Sequence, residues 1–309
     1  MKPSKKFSIS VVIPNYNGAT LLTKHLPNVI KHTPGAEIIV VDDNSTDDSI
    51  KVLKINFPTV KIVALEKNNR FAAACNAGFA SAKGDIVILL NSDVSPKKGY
   101  LQPLLKHFKN NQIFAVGCKE TQLVNGQTQK SGRGIGDFKR GFLVHWKPKN
   151  QNKSDTLWTT GGSMAASRKI WHQLGGMDTI YKPAYWEDID ISYRAKKLGY
   201  QVIFEPKSIV FHNHETTNVK ELGRFLMKLS AYKNQFLFVW KNITDFSFIL
   251  QHLLWLPFHL IFTTIRSKGL FLLGFFWAII YLPQVLSSRI SRAEQVVNSD
   301  HNILALLTN

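Results

Sequence analysis

Strand-like and helix-like patterns alternate through residues 7–90, and this alternation constrains the fold more than any other property of the chain. Phe7 to Ile13 reads as a strand, Pro14 to Gly18 as a turn and Ala19 to Lys31 as a helix. Glu37 to Val41, Val60 to Leu65 and Gly84 to Leu90 repeat the strand pattern, with Asp48 to Phe57 and Phe71 to Ala82 as helices between them. Strands joined through helices form βαβ units, whose parallel sheet needs cover on both faces. The expected class is therefore α/β: a mixed, mostly parallel sheet flanked by helices. With 309 residues, 44% of them apolar and 19% charged, the chain has the material for a large core. Many functions share that class, so the chemistry must be read from the strand ends.

Ligands in such sheets bind at the carboxyl ends of strands. The first strand runs into Ile13-Pro14-Asn15-Tyr16-Asn17-Gly18, where short side chains let backbone approach a ligand. The second enters the acidic turn Asp42-Asp43-Asn44-Ser45-Thr46-Asp47-Asp48. Adjacent carboxylates there repel phosphate but accept hydrogen bonds from a base or sugar, while Asp47 or Ser45 suits capping of the next helix. The buried-looking strand Ile86-Val87-Ile88-Leu89-Leu90 emerges in Asn91-Ser92-Asp93. A carboxylate at that exit needs a partner, and a divalent cation holding phosphate oxygens is one. A plain surface turn is the other reading of the same triplet. Later, Trp186-Glu187-Asp188-Ile189-Asp190 places three acids where a helix begins, a position the helix dipole favours. Asp190 and Arg194 are spaced to pair at i, i+4.

In this order the motifs resemble an inverting nucleotide-sugar glycosyltransferase of family 2, with the GT-A fold and a rhamnosyltransferase-like pattern. The resemblance covers Ile9 to Thr216. It implies a nucleoside pocket lined by Pro14, Tyr16 and Asp43, with Asp42 as the supporting neighbour and Ser92 beside the donor. Arg70 opens the third helix where many members carry glycine, and there it reaches toward the donor diphosphate. The resemblance makes Asp93 a ligand of Mg²⁺ or Mn²⁺, with Asn91 standing where the family has a first acid. His212, preferred over His214, is the second ligand. Asp188 becomes the general base and Glu187 its orienting neighbour, with Gly161, Gly162 and Trp186 forming the acceptor site. The implied partners are a nucleotide-sugar donor and a glycan or lipid-linked acceptor, as in cell-envelope polysaccharide synthesis. Asn91 keeps open a second reading, a catalytically inactive nucleotide-sugar or glycan-binding protein.

Residues 1–120 thus read as the donor-binding half and residues 121–218 as the acceptor-binding and catalytic half. Within the latter, 124–156 is a polar insertion of the kind that carries substrate contacts. Residues 219–309 form a third region. Glu221 to Trp240 reads as a basic amphipathic helix, and Phe246 to Ile265 and Gly269 to Leu286 carry no charge. Gln251, His252, Pro257 and His259 make the first stretch a poor bilayer span, so a hairpin lying in one leaflet fits better. A two-helix spanning hairpin and a pair of packed soluble helices are the alternatives. A net charge of +18 suits an anionic membrane surface, and the absence of any nucleic-acid-binding signature argues against nucleic acid. Only two cysteines, Cys75 and Cys118, and no apolar run behind Met1 to Lys6 suit the cytoplasmic face of a cell membrane.

Overall fold

The computed structural model describes residues 7–124, 126–212 and 217–307. Met1 to Lys6 and His214, both singled out in the sequence, lie outside them. The opening alternation is as the pattern predicts, differing only at element ends: β1 (Ile9–Asn15), α1 (Ala19–His32), β2 (Glu37–Asp42), α2 (Ser49–Asn56), β3 (Lys61–Ala64), α3 (Arg70–Ser81) and β4 (Ile86–Leu90). Then follow β5 (Val94–Pro96), α4 (Leu101–Leu105), β6 (Ile113–Val124), β7 (Gln127–Ser131), β8 (Ile135–Lys139), β9 (Phe142–Trp146), β10 (Ser163–Ser167), α5 (Arg168–Gln173), α6 (Glu187–Lys197) and β11 (Gln201–His212). The main sheet runs β3-β2-β1-β4-β10-β6-β11-β5, with β7 hydrogen-bonded to β6. Strands β3, β2, β1 and β4 are parallel, as are β6 and β11, while β10 runs antiparallel between β4 and β6.

Strand β4 shows why both faces need cover. Ile86, Ile88 and Leu90 enter one core with Leu22, Leu26 and Val29 of α1, while Val87 and Leu89 enter the other with Phe79 of α3. Each such buried side chain contributes about 1.5–3 kcal/mol. Residues 201–212 form one long strand, β11, whose register against β6 shifts between Glu205 and Ile209. Pro206, which donates no ladder hydrogen bond, sits in that irregularity. The polar stretch 124–156 contains the hairpin partner β7 and a separate hairpin, β8–β9.

The C-terminal third comprises α7 (Thr217–Asn242), α8 (Phe246–Phe258), a π-helical turn (His259–Thr263), α9 (Thr264–Arg266), α10 (Leu270–Ile280), α11 (Leu282–Ile290) and α12 (Asp300–Ala305). Helix α7 is more enclosed than a basic amphipathic helix. Lys233 and Lys241 are buried beside Phe236, Leu237, Phe238 and Val239. These apolar residues share a third core with Trp186, Ile189 and Tyr193, so the catalytic half and the C-terminal region pack as one.

The polar residues of α8 and the following turn are spent on the β8–β9 hairpin. Gly141 N–H donates to Gln251 Oε1 at 3.2 Å. His252 Nδ1 lies 2.7 Å from the Gly141 carbonyl and His259 Nε2 2.8 Å from that of Arg140. At Gly141, φ is +79° and an added Cβ would come within 2.8 Å of His252 Cα, so this contact requires glycine. The other side exposes Leu250, Leu253, Leu254, Ile261, Phe262 and Ile265. Phe246–Arg266 has a mean hydropathy of 1.5, is only 6% buried over its most apolar stretch, and is long and apolar enough to cross a membrane. The pair α10 and α11, bent by 57°, forms a second, broken candidate.

Candidate active site

A cleft of about 650 Å³ opens at the carboxyl ends of β1, β2 and β4. Of the thirteen residues given a role in the site, twelve line it: Pro14, Tyr16, Asp43, Arg70, Ser92, Asp93, Gly161, Gly162, Trp186, Glu187, Asp188 and His212. Asp42, the supporting neighbour, does not line it. It is buried and accepts from Asn15 Nδ2 (3.1 Å), Ser45 N–H (2.9 Å) and Ser45 Oγ (2.6 Å), fastening the β1 turn to the β2 turn. Asp47 accepts from the backbone N–H groups of both Ala19 and Ser49, at the starts of α1 and α2.

Asp43 reaches the cleft with both oxygens already serving α3, accepting from Asn69 and Arg70 N–H at 2.8 Å each. Burial raises its carboxyl above the ordinary carboxylate range, against the pull of those two bonds. Each oxygen keeps a second lone pair for a ligand. Arg70 adopts φ +71°, a conformation glycine takes more readily, and its guanidinium lies 3.4 Å from Glu221.

The short strand β5 was not foreseen, and it creates the second cluster. Its antiparallel register sets His212 opposite Val94 and so beside Asp93. Asp93 Oδ1 lies 3.2 Å from His212 Nε2, and His212 Nδ1 lies 3.2 Å from Glu120 Oε1. Burial alone lowers the His212 pKa, but its bonds to Asp93 and Glu120 raise it to about 9. Glu120 was missed in the sequence. It is buried on β6, accepts from Ser163 and Ser131, and is held down to about 2, chiefly by His212, although burial opposes this. Its signal was a carboxylate in a strand that is otherwise largely apolar.

This donor set fits a divalent cation. A histidine with one ring nitrogen 3.2 Å from a carboxylate and the other turned to a second carboxylate has the arrangement that orients metal-binding imidazoles. Asn91 Oδ1 is buried in the cleft wall and has no hydrogen-bond partner among the described residues. Among the described residues no three His, Cys, Asp or Glu side chains converge as a complete cation cage. Asp93 and His212 are two adjacent donors, a set that ligand phosphates would have to complete around a cation.

The third element is the start of α6. Tyr185 and Trp186 precede it with φ +65° and +83°, a strained pair for bulky residues. Helix α7 holds them there. Asn234 Nδ2 donates to the carbonyls of Tyr181, Ala184 and Tyr185, Ser230 donates to Ala184, and Lys233 donates to Ile180 and Lys182. Trp186 packs edge-on against His145, with ring centroids 5.0 Å apart. The result places Glu187 and Asp188 on the cleft. Asp188 accepts from Gly161 N–H at 3.3 Å and Ile189 N–H at 2.8 Å. Burial raises both carboxyls; proximity to Asp188 adds to the effect on Glu187, and the two N–H bonds moderate it on Asp188. Asp190 pairs with Arg194 at 2.7 Å as the spacing predicts, and also meets Lys241, Asn242 and Tyr181.

The pair Gly161–Gly162 joins the two halves. Gly161 touches Asp188, while a Cβ on Gly162 would lie 2.7 Å from Asn91 Nδ2 and 3.3 Å from His212 Cε1. Its missing side chain is thus needed for packing against the partial cation site. The hairpin β8–β9 adds His145 and its end adds Lys147 to the lining.

Because α7 sustains the strained loop, Asn234→Ala is expected to cost about 2 kcal/mol of stability. It should also cost roughly tenfold or more in turnover, because the acids shift. Urea unfolding and steady-state rates measure the two separately. A stability loss with turnover unchanged would mean that Asn234 does not set the position of Asp188.

Comparison with known proteins places these features in context. A family model described as glycosyl transferase family 2 matches residues 10–174. Pre-mycofactocin glycosyltransferase of Mycobacterium tuberculosis is 26% identical over 220 residues, 67% of this chain, and the chain spans 43% of that protein's length. The structure of GalNAc-T7 with UDP, GalNAc and Mn²⁺ superposes with TM-score 0.60 at 19% identity, covering 85% of this chain and 58% of that one. Mannosyltransferase PcManGT from Pyrobaculum calidifontis, in complex with GDP-Man and Mn²⁺, gives 0.57 at 18% identity over 98% and 80% of the two chains. Both share the curled, mostly parallel sheet of the GT-A fold.

Proposed function

The chain belongs to glycosyl transferase family 2, and from that premise we propose that it transfers a sugar from a nucleoside-diphosphate donor to a hydroxyl of a glycan or lipid-linked acceptor, with inversion. The observation that carries this reading is the Gly161–Gly162 turn, which brings a carboxylate with a raised pKa and a partial cation site onto one cleft. Pro14, Tyr16 and Asp43 receive the nucleoside. Asp188 takes the proton from the acceptor hydroxyl as its oxygen attacks the anomeric carbon, and a single in-line displacement inverts that carbon. Asp93 and His212 would hold Mg²⁺ or Mn²⁺, which when bound would neutralise the charge developing on the leaving group.

The membrane is the second part of the reading. A helix whose polar side chains are spent on a protein hairpin, and whose opposite side is apolar and exposed, suits the plane of an interface better than a span. The cytoplasmic face, with its anionic lipids, suits the charge of +18 and an acceptor used in cell-envelope polysaccharide assembly.

A screen of nucleotide sugars with Mg²⁺, Mn²⁺ or EDTA tests the activity, and NMR of the product anomer tests inversion. Release of no nucleotide from any donor would favour a binding protein that has lost the chemistry, the reading suggested by Asn91. Flotation with anionic liposomes tests the membrane assignment, and its absence would remove it.

A further inference from the structure

A second cavity, of about 460 Å³, lies behind α6, at the far end of that helix from Glu187 and Asp188. Five cations line it: Arg194, Lys197, Lys241, Arg289 and Arg292. Three are matched. Arg194 meets Asp190 at 2.7 Å, Lys197 meets Asp300 at 2.8 Å, and Lys241 meets Asp178 at 2.6 Å and Asp190 at 2.8 Å. The other two are not. Arg289 donates through Nη1 to the Trp240 carbonyl at 3.0 Å, and Arg292 through Nε to that of Ser288 at 2.9 Å. Among the described residues neither has a carboxylate partner. Both are partly buried, and burial lowers both guanidinium pKa values.

Two partly desolvated guanidinium groups with unspent N–H donors at the wall of a ligand-sized cavity are suited to an anion. The planar fork of arginine matches the oxygens of a phosphate, which it binds bidentately. Five cations stand against three carboxylates there, so the pocket keeps an excess of positive charge after its internal pairs form. The same helix that carries Arg289 exposes Leu286, three residues before it, and Ile290, the next residue, the latter 75% accessible.

We propose that this pocket is a phosphate-binding site, separate from the donor cleft, with Arg289 and Arg292 as its ligands. Its occupant is a phosphate oxyanion, either free in solution or in the headgroup of a lipid whose chains lie along Leu286 and Ile290. The proposal goes beyond the sugar-transfer reading and does not depend on it.

The test uses the full chain and three proteins: wild type, R289Q/R292Q and R289K/R292K. Inorganic phosphate and glycerol 3-phosphate are titrated by calorimetry, and vesicles with and without phosphatidylglycerol are tested by flotation at fixed salt. Wild type should bind at least one of these probes tenfold or more tightly than the glutamine variant, with partial recovery in the lysine variant. Loss confined to the vesicles identifies a lipid headgroup, and loss of the soluble probes identifies a free phosphate; either upholds the site. A wild type and glutamine variant that differ on no probe overturn it. Should the glutamine variant not fold, phenylglyoxal labelling of wild type read by mass spectrometry replaces it. Phosphate or vesicles should then shield Arg289 and Arg292 at least tenfold, and equal labelling with and without them overturns the proposal.

Discussion

Asp188→Asn is expected to lower kcat by about 10²–10⁴-fold, the usual worth of a positioned general base. Asparagine keeps the volume and an acceptor oxygen for Gly161 or Ile189, so unfolding measurements should show little change. The sign of the pH effect follows from burial. Both Glu187 and Asp188 are raised above the ordinary carboxylate range of about 4, and the base works only when deprotonated. Activity should therefore fall as the pH drops through a limb lying above that range, and the variant should lose that limb. Glu187 and Asp188 titrate as neighbours, so the limb belongs to the pair. A variant that keeps wild-type kcat, or an acid limb no higher than that of a free carboxyl, would remove Asp188 from the role of base.

The sheet was legible because βαβ patterning is local. Unbroken apolar strands such as β4 announce two buried faces, and glycine-rich turns announce where helices begin and end. The candidate site was legible where a motif follows a strand end, as with Asp43 and Asp93, or opens a helix, as with Asp188. What was illegible depends on pairing between distant segments. Strand β5 is three residues long and exists only because β11 lies beside it, so nothing local to Val94 signals that His212 will meet Asp93. Glu120 is one acid in a long strand, and its meaning comes from the imidazole that the sheet places against it. The role of α7 was hidden for a related reason. Its lysines suggest a solvated face, yet Lys233 and Asn234 spend their donors on backbone carbonyls of a loop some 50 residues earlier. Asp42, the last residue of β2, stands behind the cleft because its oxygens serve Asn15 and Ser45.

Removing the divalent cation should be nearly as costly as removing the base. EDTA is expected to abolish transfer, and Asp93→Ala to lower kcat/KM by roughly 10²–10³-fold, equivalent to several kcal/mol of lost charge stabilisation. With two protein side chains converging and no complete cage among the described residues, Mn²⁺ alone should bind weakly. Nucleoside diphosphate should tighten it, since phosphate oxygens complete the coordination. Glu120→Gln separates orientation from ligation. The variant keeps both ligands but exchanges the carboxylate behind His212 for an amide, and should weaken Mn²⁺ binding by about 10–100-fold. Electron paramagnetic resonance of free Mn²⁺, with and without nucleotide, reads these affinities without relying on turnover. Full activity in EDTA would show that the cation is dispensable. Equal Mn²⁺ affinity in wild type and Asp93→Ala would show instead that it binds elsewhere. If the cation is held as inferred, nucleotide and metal must tighten each other's binding by the same factor, because linkage is reciprocal. That equality can be measured from either side, and it distinguishes a shared site from two independent ones.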